Sequence, residues 1–159
     1  MKTFIFDLDH TVIDSSHRQI TLADGSLDLN NWIENCTKEK IMADKLLPLA
    51  NHWRDVSHGS NNSVIVCTAR VMGEHDHAFL ELHGLKAAAI LSRPLGDRSG
   101  DADLKERLLR QYASDTGQSW ARFSRSACMF DDNENVLSRL ASIGIACYNA
   151  ISLNKKMAA

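Results

Sequence analysis

Two aspartates, Asp7 and Asp9, close a short apolar run, Thr3-Phe4-Ile5-Phe6, and Thr11 follows two residues on. The alternation of an extended chain puts both carboxylates on one side. Side by side they repel, unless a cation sits between them or one holds a proton. Either acid alone is explained as a polar turn residue. The pair at the end of a buried strand, followed by a threonine, points instead to nucleophilic, acid–base or metal chemistry. Two further apolar runs end the same way: Ser63 to Cys67 in Thr68-Ala69-Arg70, and Ala127 to Phe130 in Asp131-Asp132.

These groups meet only if their strands lie side by side. Thr3–Phe6, Ser63–Cys67, Ala87–Leu91, Ala127–Phe130 and Ile145–Tyr148 read as strands, from their β-branched and apolar content. Helical stripes separate them: Asp44 to about Val56, with Pro48 near its start; Glu74 to Leu85; a helix capped by Asp101; and Asn133 to Ile143. Ser119 to Arg125 reads as a connector. Strands alternating with helices imply βαβ units, hence an α/β, Rossmann-like three-layer sandwich around a mainly parallel five-stranded sheet. Ligand sites in such sheets form at the carboxyl ends of the strands, where the acids, Thr68 and Arg70 all fall. Between the first two strands, Gln19–Leu22 and Ser26–Leu29 flank Asp24-Gly25, a hairpin signal, so a small flap is expected there. Neither this interval nor the one from Thr68 to Lys105 leaves room for a large cap domain. Residues 1–153 are expected to form one domain and 154–159 a frayed, disordered tail.

A chain of 159 residues, 44% hydrophobic, can bury a real core. A net charge of -2 argues against a protein that coats nucleic acid by charge alone. No apolar run reaches membrane-spanning length and the first strand starts at residue 3, so a cytoplasmic protein without membrane contact is expected. Cys36, Cys67, Cys128 and Cys147 show no CxxC spacing, and three of them lie in apolar runs, as reduced structural thiols do.

Asp7-Leu8-Asp9-His10-Thr11, Thr68, Lys105 and Asp131-Asp132 resemble, in order and strand placement, the four motifs of the haloacid-dehalogenase-like phosphohydrolases. Arg18, Thr68-Ala69-Arg70, Asp101 with Lys105, and Phe-Asp-Asp-Asn at 130–133 are similar more narrowly to the 3′-phosphatase half of phage polynucleotide kinase/phosphatases. Two features depart from that pattern: His10 stands where the family usually has glycine, and the basic residues between Arg93 and Asp101 match poorly. No Gly-x-x-x-x-Gly-Lys-Ser/Thr occurs, so a kinase half is absent from this sequence.

The resemblance implies an Mg²⁺-dependent phosphomonoesterase. Asp7 would be the nucleophile that forms an aspartyl-phosphate. Asp9 would protonate the leaving oxygen and then activate water. Mg²⁺ would be held by Asp7, the Asp9 backbone carbonyl, Asp131 and Asp132, an all-oxygen set of the kind this ion prefers. Thr68 and Lys105 complete the catalytic group, and Thr11, Arg18, Arg70 and Asp101 the substrate-binding one, with Asp101 orienting Lys105. Charge counting agrees: with Asp9 protonated, three carboxylates balance Lys105 and the metal. On position alone, Asp101 and Lys105 are an i,i+4 surface pair worth a few tenths of a kcal/mol, roughly. Arg70 alone is equally well a loop arginine, and Arg18 is a weaker case of the same kind. Arg93 and Arg98 read as rim charges. His75 and His77, at i,i+2 on a helix, read as solvated, and Trp32, Trp53 and Trp120 as anchors of the core.

An uncapped site suits a large substrate whose phosphate projects from it, so the leading expectation is removal of 3′-phosphate from DNA or RNA ends. The alternative enzyme is a nucleotidase for free mononucleotides, which needs a pocket over base and sugar. A non-catalytic binding module of the same fold is a third reading, opposed by the complete set of motif carboxylates and the lysine.

Overall fold

In the computed structural model, which describes residues 1–159, five strands form one parallel sheet: β1 (Lys2–Phe6), β4 (Asn62–Thr68), β5 (Ala89–Ser92), β6 (Ala127–Asp131) and β7 (Ala146–Asn149). Their order is β5-β4-β1-β6-β7. The most apolar strand takes the centre, Phe4, Ile5 and Phe6 being buried from both faces. On one face, Phe4, Phe6, Val64 and Val66 pack against α3 (Leu49–Ser57), α4 (Glu74–Leu82) and α8 (Ala150–Ala158). On the other, Ile5, Ile65 and Met129 meet α5 (Asp101–Asp115), α6 (Trp120–Ser126) and α7 (Glu134–Ser142). Each fully buried side chain of this size stabilises by about 1.5–3 kcal/mol. This is the expected three-layer α/β sandwich. No helix is long and apolar enough to cross a membrane.

The row of residues just before the acids is aromatic. Trp53, Phe6, Phe130 and Tyr148 stack in sequence, with centroids 5.3, 4.8 and 5.3 Å apart and planes within 19° of parallel. Phe6, Phe130 and Tyr148 are register partners on adjacent strands. The next residues, Asp7 and Asp131, therefore leave their strands at one level, on the opposite face.

Several boundaries differ from the sequence expectation. The first crossover helix starts at Leu49 rather than Asp44, because Pro48 at its N-cap disfavours helix in the residues before it. Lys45–Leu46 (β3) instead pairs antiparallel with Ile13–Asp14 (β2). The Asp24-Gly25 turn forms, with Gly25 at φ 84°, but its hairpin shrinks to one bridge, Thr21 to Leu27. An exposed two-stranded ribbon has too little packing to extend further. Two short helices, α1 (Leu29–Glu34) and α2 (Lys38–Met42), complete a flap larger than a hairpin. The expected connector at 119–125 is α6, with the Ser119 hydroxyl accepting from the Arg122 amide.

The expected tail at 154–159 is also corrected, since it continues α8. Buried Asn154 accepts from the Leu49 amide at 2.8 Å and donates to the Thr11 carbonyl at 2.9 Å. Two such bonds to buried backbone hold the helix against the loop that follows β1.

Candidate active site

The loop after β1 turns sharply. The Leu8 carbonyl accepts from the amides of Thr11, Val12 and Ile13, at 3.2, 3.0 and 2.9 Å. His10 provides the reversal at φ 58°, the left-handed region that histidine enters more readily than most residues with a Cβ. The glycine usual in this motif and the histidine here thus meet one conformational demand. The His10 ring is fixed by Gln19, 2.9 Å away.

This loop, the end of β6 and α5 bring one group of acids together. Carboxylate oxygens of Asp7, Asp131 and Asp132 lie within 4.8 Å of one another. The Lys105 ammonium, buried on α5, sits 2.9 Å from Asp7 Oδ1 and 2.7 Å from Asp131 Oδ2. Asp131 also accepts from the Asn133 amide at 2.9 Å. One cation against three acids leaves the cluster short of positive charge. Burial therefore raises the Asp7 carboxyl to about 7, with Lys105 opposing and Asp131 and Asp9 adding to the rise. Burial raises Asp131 and Asp132 too, in the second case with help from Asp7. Lys105, although buried, is held well above the usual lysine range by Asp7 and Asp131. Thr68 ends β4 in the buried interior, its Oγ1 accepting from the Arg70 amide at 3.1 Å.

Asp9 faces elsewhere. Its Oδ1 accepts from Ser15 Oγ at 2.5 Å and from Arg70 Nη2 at 2.5 Å, and its Oδ2 from Arg70 Nε at 3.1 Å. Burial would raise this carboxyl, but Arg70 and Ser15 outweigh it and hold Asp9 below the usual carboxylate range. Asp9 is thus paired with Arg70, while Asp7 and Asp131 share Lys105.

Of the four expected substrate contacts, three are engaged within the protein and the fourth, Thr11, is buried. Arg70 is shared between Asp9 and Asp76, at 2.5 Å from the latter. Arg18 makes a two-bond grip on buried Asp44, both at 2.9 Å, and lies 4.1 Å under the Trp32 ring. Asp101 accepts from Arg93 at 2.8 Å and does not orient Lys105, which Asp7 and Asp131 hold. Thr11 is fully buried, and its hydroxyl has no hydrogen-bond partner. Arg93 is no rim charge either: it also donates to the Ala69, Asp97 and Ser99 carbonyls, which shapes the loop after β5.

The sequence reading passed over Ser15, Asp44, Asp76 and Asn154. Only Asp76 carried a local signal. It stands three residues after Gly73 at a helix start, and its Oδ2 accepts from the Gly73 amide at 2.9 Å, half of a capping box.

Known proteins resemble the chain in sequence and in fold. The family described as bacteriophage T5 5′-deoxynucleotidase matches residues 1–159. The 5′-deoxynucleotidase of Escherichia phage T5 is 32% identical over 167 aligned residues, covering 96% of this chain and 68% of that protein. Among solved structures, a putative phosphatase from Clostridium difficile superposes with a TM-score of 0.68 at 12% identity, over 98% of this chain and 90% of that one. A haloacid dehalogenase-like hydrolase from Streptococcus pneumoniae gives 0.65 at 13%, over 94% and 84%. A chain of the Pnkp1/Rnl/Hen1 RNA repair complex gives 0.61 at 17%, over 94% of this chain. The present chain spans only 42% of the length of that last one.

Proposed function

The chain belongs to the bacteriophage T5 5′-deoxynucleotidase family and is a haloacid-dehalogenase-like phosphohydrolase; on that premise we propose that it removes the 5′-phosphate of deoxynucleoside monophosphates, with Mg²⁺ as cofactor and Asp7 as nucleophile. The observation that carries this reading is the meeting of Asp7, Asp131 and Asp132 around Lys105 at the carboxyl ends of β1 and β6. Three clustered carboxylates with one lysine fit a hard divalent ion that prefers oxygen. Asp7, Asp131, Asp132 and the Asp9 carbonyl would hold it, and when bound it neutralises charge on the transferring phosphoryl group.

The side chains divide the remaining work. Lys105 fixes Asp7 Oδ1, so the other carboxylate oxygen is the one that attacks phosphorus in line with the leaving oxygen. Thr68 Oγ1 accepts from backbone, which leaves its hydroxyl proton to donate toward a phosphate oxygen. Asp9 passes the proton that a monoanionic phosphate ester brings to the leaving 5′ oxygen of the deoxyribose. It later takes one from the water that cleaves the phosphorylated Asp7.

A mononucleotide is favoured over a 3′-phosphorylated end for two reasons. The relative matched over nearly the whole chain is described as a 5′-deoxynucleotidase. The flap, from the Arg18–Asp44 pair through α1 and α2, is also larger than an uncapped site requires. The test is phosphate release with Mg²⁺ from a deoxynucleoside 5′-monophosphate, its 3′ isomer and a 3′-phosphorylated oligonucleotide. The 5′ isomer should be fastest, and chelator should stop the reaction until Mg²⁺ is restored. Release from the oligonucleotide but not from the 5′-mononucleotide would replace this substrate with a nucleic-acid end.

A further inference from the structure

The chemistry of Asp7, Lys105 and the metal-binding acids makes no use of Arg70 or Asp76, yet both are buried beside Asp9, 4% and 5% exposed. A guanidinium has five N–H groups in a fixed fork. Nε and Nη2 of Arg70 close on the two oxygens of Asp9, Nη1 closes on Asp76, and Nη2 also stands 3.9 Å from Asp44. The edge of the fork that grips a carboxylate in two bonds is the edge that would grip a phosphate in two bonds, and it cannot do both. Asp76 is itself fixed, because its second oxygen is bonded to the Gly73 amide at the start of α4. The chain of contacts thus runs from α4 through Asp76 and Arg70 to Asp9, without passing through a substrate.

The two oxygens of Asp9 are held unequally. Oδ1 has two short bonds of 2.5 Å, from Ser15 and Arg70, whereas Oδ2 has one of 3.1 Å. Oδ1 is the pivot and Oδ2 the oxygen able to leave its partner.

We propose that Arg70 is a positioning residue for Asp9 rather than a phosphate ligand, that Asp76 holds Arg70 to that task, and that Asp9 Oδ2 is the oxygen that carries the proton. The inference rests on the reading of Asp9 as the acid of the reaction. As the Asp7 oxygen–phosphorus bond forms and the phosphorus–leaving oxygen bond breaks, Oδ2 takes the proton that a monoanionic ester brings and passes it to the leaving oxygen. Oδ2 recovers a proton from water when that water's oxygen displaces Asp7 from phosphorus.

An acid matters most when the leaving group is poor, which gives a readout that damage to the scaffold does not move. The experiment compares kcat/KM at one pH, with Mg²⁺, over aryl phosphates from p-nitrophenyl phosphate to phenyl phosphate, for wild type, Asp76→Asn and Arg70→Lys. Asp76→Asn keeps one acceptor oxygen toward Arg70. Arg70→Lys keeps the charge opposite Asp76 and loses the fork, so it provides the same reading should Asp76→Asn fold poorly. General acid–base catalysis contributes about 10²–10⁴-fold, so mis-aiming the acid should cost about tenfold or more with the poorest leaving group. With p-nitrophenyl phosphate the loss should be about threefold at most, and Asp76→Glu should recover part of the difference. An equal loss across the series in both variants, or a loss confined to KM, would make Arg70 a phosphate ligand or a scaffold residue and overturn the proposal. Aryl esters require only the phosphatase chemistry, so this result judges Asp76 whichever nucleotide the protein prefers.

Discussion

Replacing Asp7 by asparagine should abolish turnover, and it should also change how the metal-free protein responds to pH. The Asp7 carboxyl is raised to about 7, from an ordinary 3.8, because burial and two neighbouring acids outweigh Lys105. Between those values the folded chain keeps a proton that the unfolded chain has lost. The stability this group contributes is therefore complete below about 3.8 and is lost as the pH rises through about 7. Each pH unit inside the window is worth about 1.4 kcal/mol. From pH 8 to pH 5, about two units are crossed, so wild type gains about 2–3 kcal/mol that Asp7→Asn, with no proton to bind, does not. At about 2–4 °C per kcal/mol for a domain of this size, the difference in Tm should move toward wild type by roughly 4–12 °C. The assay is thermal unfolding by circular dichroism in excess chelator at both pH values, beside phosphate release in Mg²⁺. A Tm difference that is the same at pH 8 and pH 5 would refute the crowding of charge at Asp7. Near-normal turnover by the variant would remove Asp7 as the nucleophile.

Arg18→Met leaves buried Asp44 without its two-bond partner and should cost about 3–5 kcal/mol, read as a lower urea midpoint, with KM close to wild type. An unchanged midpoint with a raised KM would return Arg18 to the substrate. Asn154→Ala removes two bonds to buried backbone and should cost about 2–4 kcal/mol, and deleting 154–159 at least as much; equal melting curves would mean the segment is a tail after all. The Cys67 thiol, pushed up to about 12 by burial, should stay unreactive toward a disulfide reagent at pH 8 until the protein unfolds. Rapid reaction of all four thiols in the native protein would contradict the packing around β4.

The strands were legible because a parallel sheet buried on both faces writes itself as short apolar runs, as at Phe4–Phe6 and Val64–Cys67. The acids and Lys105 were legible because each falls where such a run ends or on the helix that faces it. The arginines were not. In the sequence, Arg18 and Arg70 follow strand ends as a phosphate ligand would. What occupies them are Asp44 and Asp76, 26 and 6 residues further along, and no local pattern announces a partner of that kind. Asn154 escaped for the same reason, since its partners Leu49 and Thr11 lie 105 and 143 residues away. The flap was misjudged because Asp24-Gly25 specifies a turn but not how far the ribbon on either side will pair.

The Asn154 bridge also bears on the order in which this protein comes into being on the ribosome. β1 is made first, yet its two neighbours are residues 62–68 and 127–131, and the loop beyond it waits for a side chain at position 154. A nascent chain therefore carries Asp7 long before the residues that position it have been made. With the partners so distant in the polypeptide, closing the sheet is a slow, late event, and the loop that carries Asp7 gains its last support only after the final helix is made.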